Sequence, residues 1–177
     1  LLLRFPHITE KQINTLYNTF NASIREYDYK GSFNAVFPLK VNQLPNFIHP
    51  LINCGKIFNY GLEAGSKAEL VIAMTYNNIG APITVNGFKD KEMIHLCFIA
   101  KSMGHNITII IEGLNELEII IEVLNETKME CPNIGLRVRL HSGGSGLWAK
   151  SGGINSKFGL TSTEILEAYE LMEDNNL

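Results

Sequence analysis

The chain has 177 residues, the length of one ordinary domain, of which 45% are apolar and 19% are charged. This composition allows a buried core and excludes disordered, collagen-like and low-complexity proteins. The formal net charge is -3 without any block of like charge, so we expect no nucleic-acid partner and no membrane partner. Apolar runs fall far short of the roughly 20 residues that span a bilayer, and no secretory leader pattern is recognised. We therefore expect a soluble, cytoplasmic protein that binds a small molecule or another protein.

The cysteines and histidines indicate neither a disulfide framework nor a metal centre. The number of cysteines is odd, and Cys54, Cys97 and Cys131 are widely spaced without a CxxC motif. This pattern is typical of a protein from a reducing compartment. The five histidines lack the HxxxH and HExxH spacings of zinc sites. We therefore predict no metal ligands, and of the histidines only His141 follows a predicted strand closely enough to be of interest.

Five apolar runs rich in β-branched and aromatic residues recur at a nearly constant interval. Their starts are separated by 24, 25, 24 and 27 residues. Runs that are apolar on both faces are typical of parallel strands covered on both sides. The runs are FNAVFPLKV (33–41), IFNYGL (57–62), PITVNG (82–87), NITIII (106–111) and NIGLRVRL (133–140).

The segments between these runs have helical periodicity and begin with helix-start signals. Such signals are a proline in the first turn, or a capping residue followed three positions later by Glu or Gln. An additional helix, roughly 9–27, precedes the first strand. The signals are Thr9 with Gln12, Pro45, Ser66 with Glu69, Asp90, Asn115 with Glu118, and Thr161 with Glu164.

Strand and helix therefore alternate as in βαβ units. At about 25 residues per unit, eight units need about 200 residues, the size of a (β/α)8 barrel. A five-stranded doubly wound sheet also fits the interval, but PLKVNQ follows the first strand where a dinucleotide-binding fold has GxGxxG. We predict a lead-in segment with a helix over 1–30, and the first five units of an incomplete barrel over 31–177. Since the chain opens with Leu1, we expect it to be a portion of a longer protein.

Barrel enzymes carry their chemistry at the carboxyl ends of the strands, which directs attention to the ends of the five runs. Lys40 ends the first run, where partial burial would lower its pKa and favour imine formation. On the residues alone, a lysine at a strand end whose ammonium group reaches the solvent is the more common case. Glu63 could supply the counter-charge, or could be a loop carboxylate near the next helix. The other run ends are Asn86, Glu112 and residues 137–141.

Three segments together resemble one enzyme family. They are FPLKVNQ (37–43), YGLEAGSKAEL (60–70) and the pattern GSGLWAKSGG-NSKFGL (144–160, interrupted by Ile154). The chain is similar to the biosynthetic arginine decarboxylases, which use pyridoxal phosphate on an alanine-racemase-like (β/α)8 barrel (fold type III). GLEAGSKAEL and SKFGL separate this branch from the ornithine and diaminopimelate decarboxylases.

The resemblance implies roles for individual residues. Lys40 matches the lysine that bonds covalently to pyridoxal phosphate, and Glu63 matches an acidic residue beside it. Arg137 matches an arginine under the cofactor ring, although Arg139 lies on the same side of a strand. Lys157 matches a basic residue at the rim of the site. The glycine-rich stretch 142–153 is expected to be a loop over the site, with Trp148 as its anchor, or else an anion-binding nest.

The resemblance also implies an activity. The family converts L-arginine to agmatine and CO2 for putrescine and spermidine synthesis, as homo-oligomers, with magnesium reported as an additional cofactor. We find no magnesium site in these residues. The alternatives are a decarboxylase of diaminopimelate, lysine or carboxynorspermidine, and a non-catalytic barrel. Other parts of the family's site follow the region matched here, so we expect these 177 residues alone to be inactive.

Overall fold

Parallel strands alternate with helices in the computed structural model, which describes residues 3–140 and 159–177. In the sheet the strands follow the order of the chain. The β1–β2 and β4–β5 pairs are both parallel. This confirms the predicted βα repeat. The strands are β1 (Val36–Pro38), β2 (Gly61–Ala64), β3 (Pro82–Val85), β4 (Asn106–Ile111) and β5 (Asn133–Leu136).

One helix precedes the first strand, and the others follow strands. A short 3₁₀ turn, Lys56–Phe58, comes before β2. Among the described helices, none combines the length and apolar character needed to cross a membrane. The helices are α1 (Pro6–Glu26), α2 (Pro45–Gly55), α3 (Lys67–Tyr76), α4 (Lys91–Ser102), α5 (Leu114–Thr127) and α6 (Ser162–Asp174).

The strand boundaries differ from the predicted runs in four of the five cases, including β3, which ends at Val85 and not at Gly87. β1 contains only three of the nine predicted residues, whereas β4 matches its run. The second run begins with the 3₁₀ turn, and the strand starts only at Gly61, because Asn59 adopts a left-handed conformation with φ of 59°. β5 ends at Leu136, and beyond it Val138 forms an isolated parallel bridge with Leu160. Apolar character alone does not locate the residues that pair with a neighbouring strand.

Most helix starts agree with the local signals. Pro45 begins α2, and the side chains of Ser66, Asp90 and Thr161 cap α3, α4 and α6. The predicted starts at Thr9 and Asn115 are wrong. Pro6 begins α1, because a proline without an N–H group is well suited to the first turn. Gly113 caps α5, and the carboxylate of Glu116, not that of Glu118, accepts the upstream Glu112 N–H at 2.9 Å.

The chain divides into two compact units, one that reaches to Thr84 and one that begins at Val85. The first unit includes α1, which is held to the lead-in of β1 by Tyr17. Tyr17 is 2% exposed, stacks on Phe58 with ring centroids 4.4 Å apart, and accepts a hydrogen bond from the Ala35 N–H at 3.1 Å. The predicted domain boundary near residue 30 stays a prediction.

The second unit is built around β4. Ile107, Ile109 and Ile111 are fully buried, and α4 and α5 both pack against this strand. The alternate residues face the other side of the sheet, where a Cβ on Gly135 would lie 2.7 Å from Cδ1 of Ile110. Glu112 follows Ile110 by two residues, and this alternation places it on the side of the sheet away from the helices.

Candidate active site

The first unit brings Lys40 and Glu63 together at the carboxyl ends of β1 and β2. Pro38 and Glu63 are register partners, and Lys40 lies two residues beyond Pro38. Lys40 Nζ is 3.9 Å from Glu63 Oε1. The two predicted site residues of this unit are therefore neighbours, because they lie at the ends of adjacent strands.

The exposure of Lys40 decides between the two alternatives. Its side chain is 71% exposed, so the ammonium group reaches the solvent and the expected partial desolvation is wrong. The reason is that β1 ends at Pro38, after which Val41 N–H donates to the Pro38 carbonyl and closes a turn. Leu39 is fully buried, and its N–H donates to the Glu63 carbonyl at 2.9 Å. Lys40 is thus presented on a turn that remains hydrogen-bonded to β2.

Glu63 lies within β2 and not in a loop. Its side chain is 21% exposed. The start of α3 is satisfied by other groups, since Ser66 Oγ accepts the Glu69 N–H and the Glu69 carboxylate accepts the Gly65 N–H at 2.7 Å. Glu63 is therefore not needed to cap α3, and its carboxylate lies beside the amine of Lys40.

The second unit brings Glu112 and Arg137 together one residue beyond β4 and β5. Ile111 and Leu136 are register partners, and Arg137 N–H donates to the Ile111 carbonyl at 3.0 Å. Arg137 Nη1 donates to Glu112 Oε1 at 2.7 Å. Glu112 is 14% exposed and Arg137 is 42% exposed, so the ion pair is reached by solvent mainly from the arginine side.

Arg137 and Arg139 have different surroundings. Arg139 Nε donates to the carbonyl of Gly159 at 3.1 Å, and its backbone N–H donates to Leu160 at 2.8 Å. Gly159 has a φ of +86°, and a Cβ there would lie 3.0 Å from the Arg137 carbonyl. Arg139 therefore holds the segment that leads into α6, whereas Arg137 is paired with an acidic residue at the end of the neighbouring strand.

Sequence reasoning missed a buried ion pair close to this end of the second unit. Lys89 Nζ lies 3.1 Å from Glu116 Oε1, and the two side chains are 0% and 7% exposed. Lys89 follows Phe88 and precedes the helix cap Asp90, a position that normally belongs to an exposed loop lysine. The sequence contains no periodic signal for its burial.

Of the remaining candidate residues, only Asn86 lies within the part of the chain that the structure describes. Asn86 is half-buried and lies one residue beyond β3. His141, the glycine-rich stretch 142–153 with Trp148, and Lys157 lie outside the described residues. Within 3–140 and 159–177, no group of three or more His, Cys, Asp or Glu side chains is placed to hold a metal ion.

Comparison with known proteins places the chain in a family. Residues 11–177 match the model described as "Pyridoxal-dependent decarboxylase, pyridoxal binding domain". The chain is 43% identical to biosynthetic arginine decarboxylase of Bacteroides thetaiotaomicron and 41% identical to that of Phocaeicola vulgatus. Both matches cover 100% of this chain but 28% of the relative. The chain thus spans little more than a quarter of the length of these relatives.

Solved structures agree with this match. The crystal structure of biosynthetic arginine decarboxylase from Campylobacter jejuni has a TM-score of 0.90 and 60% identity, over 100% of this chain and 28% of that one. Diaminopimelate decarboxylase from M. jannaschii has a TM-score of 0.67 at 23% identity, over 93% of this chain and 37% of that one, and supports the fold alone. The predicted fold class, a (β/α)8 barrel of fold type III with about five of eight units present, is confirmed. The chain therefore belongs to the pyridoxal-dependent decarboxylases, whose pyridoxal-binding domain it matches over residues 11–177.

Proposed function

We propose that the full-length protein carrying this chain decarboxylates L-arginine to agmatine and CO2 with pyridoxal phosphate. The observation that carries the proposal is the pair formed by Lys40 and Glu63, an accessible amine 3.9 Å from a carboxylate at the ends of two parallel strands. The similarity to biosynthetic arginine decarboxylases over the whole of this chain supports the choice of substrate.

The residues present fit the cofactor. An aldehyde must reach a primary amine to bond with it, and the Lys40 side chain is 71% exposed. When bound, pyridoxal phosphate supplies a ring that delocalises the electrons left behind when a carboxylate departs as CO2. Lys40 would hold the cofactor covalently, and Arg137 would lie against the ring.

Glu63 has two tasks in this arrangement. Its carboxylate can accept a hydrogen bond from Lys40 Nζ and so orient the amine. The same negative charge would also interact favourably with positive charge that develops on the nitrogen once the cofactor is attached. Glu112 balances the charge of Arg137 and restrains its guanidinium group. The chain therefore contributes a covalent anchor, a counter-charge and a fixed cation.

Several finer statements are part of the same proposal. We propose a homo-oligomer in the cytoplasm whose agmatine is used for putrescine and spermidine synthesis. The name "biosynthetic arginine decarboxylase" of the relatives is in keeping with this pathway. We assign no magnesium site to the described residues. We also propose that residues 1–177 alone are inactive, since they span 28% of these relatives.

The test is borohydride reduction of the full-length protein loaded with pyridoxal phosphate, followed by peptide mapping. The label is expected on Lys40 and should vanish in Lys40→Arg. Lys56→Arg, a change at another exposed lysine, is the matched control and should keep the label. Label on a different lysine would overturn the assignment.

A substrate panel tests the reaction. CO2 release is expected from L-arginine and not from diaminopimelate, lysine or carboxynorspermidine. Preference for one of the other amino acids would reassign the substrate. Cofactor attachment at Lys40 without release of CO2 from any of them would indicate the non-catalytic alternative.

A further inference from the structure

The buried pair of Lys89 and Glu116 is connected to the Glu112–Arg137 pair by an unbroken series of contacts within the second unit. Lys89 Nζ donates to the Gly87 carbonyl and lies 3.1 Å from Glu116 Oε1. The other oxygen of that carboxylate, Oε2, accepts the backbone N–H of Glu112 at 2.9 Å. Glu112 in turn accepts the hydrogen bond from Arg137 Nη1 at 2.7 Å.

These contacts join the ends of three successive strands. Gly87 and Lys89 lie in the loop after β3, Glu112 follows β4, and Arg137 follows β5. Glu116 lies in the first turn of α5, where a negative charge also interacts favourably with the helix dipole. One carboxylate therefore ties together the loop after β3, the end of β4 and the start of α5.

Because the Lys89–Glu116 pair is buried, we expect it to orient neighbouring groups and not only to stabilise the fold. Removing two charges from water carries a large desolvation cost, and their mutual attraction often only balances that cost. A pair of apolar residues could therefore fill the same space without loss of stability. A buried carboxylate with a cation on one oxygen and a backbone N–H on the other is, however, restricted to one orientation. Apolar replacements would not restrict the Glu112 backbone in this way.

We infer that Lys89 and Glu116 are positioning residues that fix the backbone of Glu112 and, through it, set the guanidinium group of Arg137 for the cofactor. Lys89 holds the Glu116 carboxylate in place. Glu116 then holds the Glu112 N–H, and the Glu112 side chain holds Arg137. The expected effect on the cofactor rests on the proposed function. The effect of Glu116 on the Glu112 backbone does not depend on it.

Two double variants of the full-length protein separate positioning from packing. Lys89→Met with Glu116→Gln removes both charges but keeps an oxygen that can accept the Glu112 N–H. Lys89→Met with Glu116→Met removes both charges and the acceptor as well. Neither leaves an uncompensated buried charge, so both are expected to fold, with melting temperatures close to each other.

Two measurements on these variants test whether Glu116 positions Glu112 and Arg137. Hydrogen exchange at the Glu112 amide should stay within about 3-fold of wild type in the Gln variant and rise about 10-fold or more in the Met variant. The dissociation constant of pyridoxal phosphate, from titration of the apoprotein, should likewise rise about 10-fold in the Met variant alone, because Arg137 is then no longer held in one orientation before binding.

Each outcome has a defined meaning. Equal exchange rates and equal cofactor affinities in the two variants would overturn the inference, because the loss of the acceptor would then have no effect. Faster exchange with unchanged affinity would overturn the link to Arg137. If the wild type binds no pyridoxal phosphate, the proposed function fails, and the exchange measurement still decides whether Glu116 fixes the end of β4.

Discussion

Glu112 Oε1 and Arg137 Nη1 are 2.7 Å apart at the point where β4 and β5 end side by side. The pairing follows from the register, because Ile111 and Leu136 are partners and the next residue of each strand faces the same side of the sheet. A guanidinium group held by a carboxylate that is only 14% exposed is more restrained than a free surface arginine. This relationship distinguishes Arg137 from Arg139.

We predict that Arg137→Met raises the dissociation constant of pyridoxal phosphate by about 10-fold, since it removes a cation proposed to lie against the ring. Arg139→Met is the matched control and should change the constant by less than about 3-fold, because Arg139 is hydrogen-bonded to Gly159. Titration of the apoprotein measures both. A larger effect at Arg139 would exchange the two roles.

Tyr17→Phe should lower the free energy of unfolding by about 1 kcal/mol, because the Ala35 N–H loses its partner while the stacking on Phe58 is kept. Tyr27→Phe is the matched control, since Tyr27 is 77% exposed and its replacement should have no measurable effect. Urea unfolding of both variants makes the comparison. Equal stabilities would show that the hydroxyl group does not hold α1.

Thr161→Ala should destabilise α6 by about 1 kcal/mol, because the Thr161 side chain accepts the Glu164 N–H and the Glu164 carboxylate accepts the Thr161 N–H. Thr161→Ser keeps the hydroxyl group and should cost much less. Ser162→Ala, at the next and exposed position, should be nearly neutral. Native-state hydrogen exchange of the α6 amides reports the change.

The same cap has a pH dependence. Hydrogen bonds from the Thr161 backbone and side chain lower the pKa of Glu164 below its usual value of 4.5. A lowered pKa in the folded state means that the stabilisation is complete above the unfolded value and is lost as the pH falls through the folded value. NMR titration of Glu164 should show this lowered pKa in wild type and a partial return toward 4.5 in Thr161→Ala, which removes the hydroxyl donor but keeps the backbone N–H. An unchanged pKa would show that the hydroxyl group makes no contribution to the shift.

Cys97 should resist alkylation in the folded protein. Burial raises the pKa of its thiol to about 12, although the nearby positive charge of Lys89 opposes the shift. At pH 8 almost no thiolate is available, and the residue is fully buried. Iodoacetamide labelling followed by mass spectrometry should detect Cys97 modification only in urea. Rapid labelling without denaturant would show that α4 opens readily.

Much of this protein was determined by its sequence alone, because the relevant interactions are local. The interval between apolar runs reflects one strand and one helix per unit, and caps such as Ser66, Asp90 and Thr161 act within three residues of themselves. The positions of Lys40 and Glu63 at the ends of adjacent strands follow from the same periodicity, and the structure places them 3.9 Å apart.

Only the tertiary structure decided burial and register, which depend on residues far apart in the chain. The exposure of Lys40 results from the early end of β1 at Pro38, after which the chain turns. The burial of Lys89 requires Glu116, 27 positions later, and the separate roles of Arg137 and Arg139 require Glu112 and Gly159. A lysine or arginine has the same local pattern in the sequence whether it is solvated or paired, because its partner is supplied by another strand or helix.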